Sequence, residues 1–193
     1  MAEAHGSGLP SPWVARFAAT IPDGEVLDLA CGGGRHARLL AARGHPVLAV
    51  DRDGTALASL TAAGIRTLQC DLEDGAPPGP DWPLQPGRYA GIVVTNYLHR
   101  PLLPALAASL APGGVLIYET FAQGNERFGK PSSPAFLLRP DELLELARAA
   151  VPLRVLAFEQ GRVDAPRPAL IQRICAQRIG AAGDWPTLPP GPI

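Results

Sequence analysis

Lysine is nearly absent from this 193-residue chain: Lys130 stands alone against 16 arginines, a bias that genome composition explains as readily as anion recognition. With 17 basic and 18 acidic residues the formal net charge is −1, so no overall positive field draws the protein to nucleic acid or to an anionic membrane surface. Cysteine is scarce as well. The three thiols, Cys31, Cys70 and Cys175, are odd in number, far apart and set in apolar runs without a CxxC pair. They read as reduced, buried thiols of a cytoplasmic protein, with no zinc or redox site among them. Met1 to Leu9 has neither a basic start nor an apolar core, which predicts a flexible N-terminus over residues 1–9 and no cleaved secretory signal. The longest uncharged stretch, Pro101 to Tyr118, is broken by Pro101, Pro104, Pro112, Gly113 and Gly114. It therefore reads as a helix followed by a strand and not as a membrane span. No internal repeat and no heptad is present.

What the chain has in excess is proline and glycine, 22 and 21 residues. That content alone borders on low complexity, but 47% hydrophobic residues against 18% charged ones provide enough apolar surface to offset the ordering entropy of a core. The prolines also gather outside the core, in the loop Glu73 to Arg88 and in the tail Gly180 to Ile193. The expected organisation is one domain over residues 10–179 with a Pro-rich C-terminal tail over 180–193.

Short Val/Ile/Leu-rich runs alternate with Ala/Leu/Arg segments of helical spacing, the pattern of βαβ units in a parallel sheet. Strands are predicted near Val26 to Ala30, Val47 to Asp51, Arg66 to Cys70, Tyr89 to Thr95, Val115 to Phe121, Arg154 to Glu159 and Ala169 to Gln177. Helices are predicted near Pro12 to Thr20, Arg35 to Arg43, Thr55 to Ala63, Leu102 to Ala111 and Pro140 to Ala150. Only Gln160 to Pro168 separates the last two strands, too little for a crossover helix, so these two should form an antiparallel hairpin at one edge.

The first βα unit reads Val26-Leu27-Asp28-Leu29-Ala30-Cys31-Gly32-Gly33-Gly34-Arg35-His36. A strand running into three glycines and then a helix turns sharply and admits a ligand against bare backbone, with free N–H groups behind it. Gly32 and Gly34 also satisfy G-x-G-x-x-A, so a nicotinamide-dependent oxidoreductase remains an alternative on this element. Two acids add to the pattern. Asp51 ends the second strand, 19 residues after Gly32, where a carboxylate can accept both hydroxyls of a ribose. Asp71 follows the third strand beside apolar Leu72, where it can accept from an adenine amino group. Each acid has a plainer reading too. Asp28 can serve the loop's own amides, Asp51 can cap a strand end, and Asp71 can belong to a solvated acidic cluster with Glu73 and Asp74.

With acids at strands one, two and three around a glycine turn, the chain resembles the class I S-adenosylmethionine-dependent methyltransferases. The resemblance runs from Val26 to Gln177 and takes in Ala111 to Glu119 (APGGVLIYE) as the entry to strand five. It implies an α/β, Rossmann-like fold: a seven-stranded, mostly parallel sheet in the order 3-2-1-4-5-7-6, strand seven antiparallel, helices on both faces. It further implies S-adenosyl-L-methionine as cofactor, with Asp28, Ala30, Gly32 and Gly34 framing the methionyl part, Asp51 the ribose, Asp71 and Leu72 the adenine, and Asn96 beside them. Ala30 departs from the family, in which glycine is commoner at that place. The segment from Glu119 to Ala147 more weakly resembles the small tellurite-resistance-type methyltransferases.

The loop Thr95-Asn96-Tyr97-Leu98-His99-Arg100 follows strand four and should face the activated methyl. Asn96 is a candidate to orient acceptor or cofactor, Tyr97 to cover it, and His99 to take a proton, although a locally bonded helix-start residue is the plainer reading of His99. Glu119, ending strand five, is the second candidate base. Arg100, Arg127 and Arg139 would suit an anionic acceptor, while Arg35 and His36 can reach either the cofactor's amino-acid end or the acceptor. The expected function is methyl transfer by in-line displacement to a small-molecule acceptor in the cytoplasm, without nucleic acid or membrane, by a monomer or dimer. A non-catalytic cofactor-binding partner protein is the further alternative.

Overall fold

The structure, a computed structural model, describes residues 8–74, 81–180 and 185–190. Seven strands form one sheet: β1 (Val26–Leu29), β2 (Val47–Asp51), β3 (Ile65–Gln69), β4 (Tyr89–Thr95), β5 (Leu110–Phe121), β6 (Leu153–Val163) and β7 (Ala169–Arg178). Their order is β3-β2-β1-β4-β5-β7-β6, with β7 antiparallel to both its neighbours. Both the order and the edge hairpin agree with the sequence expectation. The helices are α1 (Pro12–Phe17), α2 (Arg35–Ala42), α3 (Gly54–Ala58), α4 (Leu103–Ser109) and α5 (Glu142–Ala147).

The central strands VLDL, VLAV and YAGIVVT are buried along their length because helices cover both faces of a parallel sheet. On one face Val26, Val47, Ala49, Val93, Val115 and Ile117 pack with Trp13 and Phe17 of α1 and Ala37 and Leu40 of α2. On the other, Leu27, Leu29, Ile92, Val94, Leu116 and Tyr118 pack with Leu106 of α4 and Leu143 and Leu146 of α5. Residues alternate between these faces along each strand, and the alternation aims Asp28 of β1 at α2.

Helix α3 ends at Ala58 and not near Ala63, because Leu60 turns inward against the glycine turn, its side chain filling the space that a Cβ on Gly34 would need. Helix α5 starts later than predicted, after Asp141 adopts a left-handed conformation with φ 60°. Strand β5 starts earlier, since Leu110 pairs with Tyr89 across a register shift that precedes the regular pairing from Val115. Residues 1–7, 75–80, 181–184 and 191–193, which carry parts of the N-terminal, loop and tail expectations, lie outside the described residues. Within the described tail, Trp185 meets Arg154 of β6, whose guanidinium lies 3.7 Å from the indole centroid. No helix among the described residues is long and apolar enough to cross a membrane.

Candidate active site

Strand order reverses between β1 and β4, both parallel, so a crevice opens outside their carboxyl ends, where the turn after β1 and the loop after β4 diverge. The turn after β1 is tight. Ala30, Gly32 and Gly34 all take positive φ, at 53°, 53° and 71°. At Gly34 glycine is required twice, by the φ and by the contact with Leu60; at Ala30 an alanine tolerates a left-handed conformation that glycine adopts without strain.

Two carboxylates hold this turn. Asp51 Oδ2 accepts the Gly32 N–H at 2.7 Å while its Oδ1 accepts the Asp53 N–H at 2.9 Å, and the residue stays half-buried. Asp28, 1% exposed, accepts the Ala37 N–H through Oδ2 at 2.8 Å, tying β1 to the first turn of α2. Burial raises its pKa to about 7, against the lowering effect of that hydrogen bond and of the Arg35 charge. Asp71, exposed, accepts the Glu73 N–H at 3.0 Å, and Leu72 beside it is buried. The carboxyl ends of β1, β2 and β3 thus each carry an acid, and each acid keeps lone pairs beyond its backbone bond.

Across the crevice, Asn96 is exposed and left-handed, φ 54°, its N–H donating to the Glu119 carbonyl at 3.0 Å. Burial and the neighbouring Glu73 raise the pKa of the Tyr97 phenol. His99 Nδ1 lies 3.8 Å from the Glu73 carboxylate, so the loops after β3 and β4 face one another here. Two candidates have other partners. Glu119 accepts from Ser11 Oγ at 2.8 Å and from Arg173 Nη1 at 3.2 Å. Arg100 forks onto the buried Glu142 at 2.7 and 2.9 Å and also donates to the Ala135 and Leu137 carbonyls. Burial alone would raise the Glu142 carboxyl, but Arg100 and the Arg139 N–H outweigh it and hold the pKa below the ordinary range. Arg139 meets Glu142 and Glu145, whereas Arg127 is exposed.

Sequence reasoning missed Ser11. Its N–H donates to His36 Nε2 at 3.1 Å, its Oγ caps α1 by accepting the Trp13 N–H at 3.1 Å, and the same hydroxyl donates to Glu119. His36 is fully buried. Burial, then the Arg35 charge, push its pKa down to about 3, so it is neutral with Nε2 as acceptor and Nδ1 facing Thr95 Oγ1 at 3.5 Å. The signal was Ser11-Pro12, a capping residue before proline at a helix start. Its partners, 25 and 108 residues away, left no local trace.

The acids, the bare backbone of the turn and the apolar Leu72 form a donor and acceptor set suited to a cationic, ribose-bearing adenosyl ligand. A family of methyltransferase domains matches residues 3–163. Among curated proteins none matches in sequence. Among solved structures, one similar fold is a Listeria monocytogenes protein assigned to the S-adenosylmethionine-dependent methyltransferases (TM-score 0.64, 15% identity, 86% of this chain and 97% of that one). Another is the 1,6-didemethyltoxoflavin N1-methyltransferase of Burkholderia thailandensis, solved with that substrate and S-adenosylhomocysteine (TM-score 0.62, 22% identity, 88% and 77%). TehB of Haemophilus influenzae is also similar (TM-score 0.60, 19% identity, 80% of this chain but 57% of TehB). At these identities the structures speak to the fold, and the family match covers most of the chain. The chain therefore belongs to the methyltransferase-domain family and is an enzyme of the class I, S-adenosylmethionine-dependent type.

Proposed function

We propose that this protein methylates a small-molecule acceptor, with Asp28, Ala30, Gly32, Gly34, Asp51, Asp71, Leu72 and Asn96 forming the cofactor site. The observation that carries the reading is Asp51, whose carboxylate bridges the Gly32 and Asp53 N–H groups at the mouth of the crevice. A carboxylate fixed in this way presents its remaining lone pairs to the two hydroxyls of a ribose without further ordering. Asp71 offers an acceptor to the adenine amino group while Leu72 packs on the ring, and Asp28 answers the ammonium of the methionyl end. When bound, S-adenosylmethionine supplies a methyl group on a sulfonium sulfur.

For the acceptor, the chain's task is alignment and exclusion of water, and orientation in favourable cases lowers a barrier by roughly 7–11 kcal/mol. Asn96, exposed on the loop after β4, orients the acceptor, and Tyr97 covers it. Where the acceptor carries a proton, His99 takes it, its Nδ1 lying 3.8 Å from the Glu73 carboxylate. Glu119, bound by Ser11 and Arg173, is already engaged in holding α1 against the sheet. An anionic acceptor would draw on Arg127, since Arg100 and Arg139 are matched by Glu142 and Glu145. Support for a small molecule comes from the near-neutral chain and from similar folds solved with didemethyltoxoflavin and with geranyl diphosphate. A cytoplasmic place agrees with the three free thiols.

The test is release of S-adenosylhomocysteine from S-adenosylmethionine across thiols, oxyanions, small acids, heterocycles and stripped RNA. Turnover with a low-molecular-weight acceptor is expected. Turnover with RNA alone would overturn the acceptor assignment, and tight cofactor binding without turnover on any member would favour a binding partner protein.

A further inference from the structure

The last residue pair between β4 and β5 is Thr95 with Glu119, and the chain leaves β4 at once into Asn96, whose N–H returns to the Glu119 carbonyl at 3.0 Å. Asn96 holds a left-handed conformation, φ 54°, which residues other than glycine keep only where their surroundings favour it. The setting of Asn96 at the crevice therefore depends on how firmly the Thr95–Glu119 pair is held.

Ser11, 6% exposed at the start of α1, reaches both members of that pair. Its hydroxyl donates to Glu119 Oε1 at 2.8 Å. Its N–H donates to His36 Nε2 at 3.1 Å, and the other ring nitrogen of His36 faces Thr95 Oγ1 at 3.5 Å. Arg173 completes the enclosure, ion-paired with Glu119 Oε2 at 3.2 Å and lying over the Trp13 ring. Ser11, His36 and Thr95 are all buried, so water competes little for these bonds.

Attachment of α1 does not by itself account for this arrangement. Trp13, Val14 and Phe17 bury the apolar face of the helix, and the Trp13 indole N–H donates to the Ile174 carbonyl at 3.3 Å. Apolar contact is non-directional, whereas hydrogen bonds fix position. A hydroxyl that caps α1 by accepting the Trp13 N–H requires no acid beside it. What the Glu119 bond adds is a fixed setting for the residue whose carbonyl receives Asn96.

Resting on the reading of Asn96 as a cofactor-site residue, we propose that Ser11 is a positioning residue of the methyltransferase: through Glu119 directly, and through His36 and Thr95, it sets the turn at Asn96 and with it the crevice wall formed by the loop after β4. The start of α1 thereby acts on the site without touching the ligand.

The experiment follows backbone amide exchange by heteronuclear NMR, and S-adenosylhomocysteine affinity by calorimetry, in wild type, Ser11→Ala, Ser11→Gly and Ser11→Thr. Alanine and glycine both remove the hydroxyl, and glycine caps a helix nearly as well as serine, so α1 keeps its start in that variant. Exchange of the Asn96 N–H is expected to quicken about tenfold or more in both, with the Ala37 N–H, held by Asp28, unchanged. S-adenosylhomocysteine should bind them about 2- to 10-fold more weakly, the range for one hydrogen bond, and Ser11→Thr should restore both values. Asn96 exchange or ligand affinity equal to wild type in both hydroxyl-free variants would overturn the assignment. So would exchange quickened alike at Asn96, Ala37 and the strand amides, the mark of a general loss of stability, or a Ser11→Thr that behaves as Ser11→Ala does. Folded wild type that binds no S-adenosylhomocysteine would overturn the cofactor reading instead, and Asn96 exchange would still report on Ser11.

Discussion

Replacing Asp28 by asparagine should strengthen the fold and weaken the cofactor complex, two effects of opposite sign from one buried carboxyl. Asp28 is 1% exposed, and its pKa rises from 3.8 to about 7 chiefly through burial. Between about pH 4 and pH 7 the folded chain therefore binds more protons at this residue than the unfolded chain, so stability falls as pH rises and levels off above about 7. Each pKa unit corresponds to about 1.4 kcal/mol, so the full effect is on the order of 4 kcal/mol. Asparagine has nearly the same shape and can still accept the Ala37 N–H, but it does not titrate. Urea unfolding from pH 4 to pH 8 should show Asp28→Asn gaining on wild type by several kcal/mol between about pH 4 and pH 7, with the difference flat above about 7. Cofactor affinity should behave in the opposite way. In wild type it should fall about tenfold per pH unit below 7, as protonation removes the charge facing the ammonium, while the variant binds weakly at every pH. Parallel stability profiles for the two proteins would refute the burial argument, and a pH-independent wild-type affinity would refute the ammonium contact.

Ala30→Gly should raise stability by about 0.5–1 kcal/mol, because relief of the left-handed strain at φ 53° exceeds the entropy glycine adds to the unfolded chain. A lower melting temperature would show that the alanine methyl packs usefully. Arg100→Met should cost about 3 kcal/mol in urea unfolding, since it leaves the Glu142 carboxylate, 4% exposed, without its forked partner. A loss within a few tenths of a kcal/mol would mean that the Arg139 contacts suffice.

The parts of this fold that sequence made legible are those in which local chemistry and topology agree. Val47 to Asp51 and Tyr89 to Thr95 are continuous apolar runs between turn residues, and both form strands with the predicted ends. The β6–β7 hairpin follows from the shortness of its connection, and Asp53 accepts the Thr55 and Ala56 N–H groups as a capping residue should. Element ends were lost where tertiary contacts override propensity. Leu60 has a helical neighbourhood in sequence but packs into the space that Gly34 leaves open, and α3 stops short. At the candidate site, the acids Asp28 within β1, Asp51 at the end of β2 and Asp71 after β3 stood out because their spacing follows from βαβ geometry. The commitments of His36, Glu119 and Arg100 were not, because each depends on a partner between 25 and 108 residues away. An isolated arginine looks alike in sequence whether it forks onto a buried carboxylate, as Arg100 does, or stands exposed, as Arg127 does.

The central claim is that the turn after β1, braced by Asp51, is the cofactor site, and calorimetric titration of S-adenosylhomocysteine into wild type and Asp51→Ala tests it most directly. One saturable site per wild-type chain is predicted, with affinity lost by at least about tenfold in a variant whose circular dichroism matches wild type, as expected when charge-assisted hydrogen bonds to the ribose are removed. Absence of binding to folded wild type, or equal affinity in folded Asp51→Ala, would contradict it.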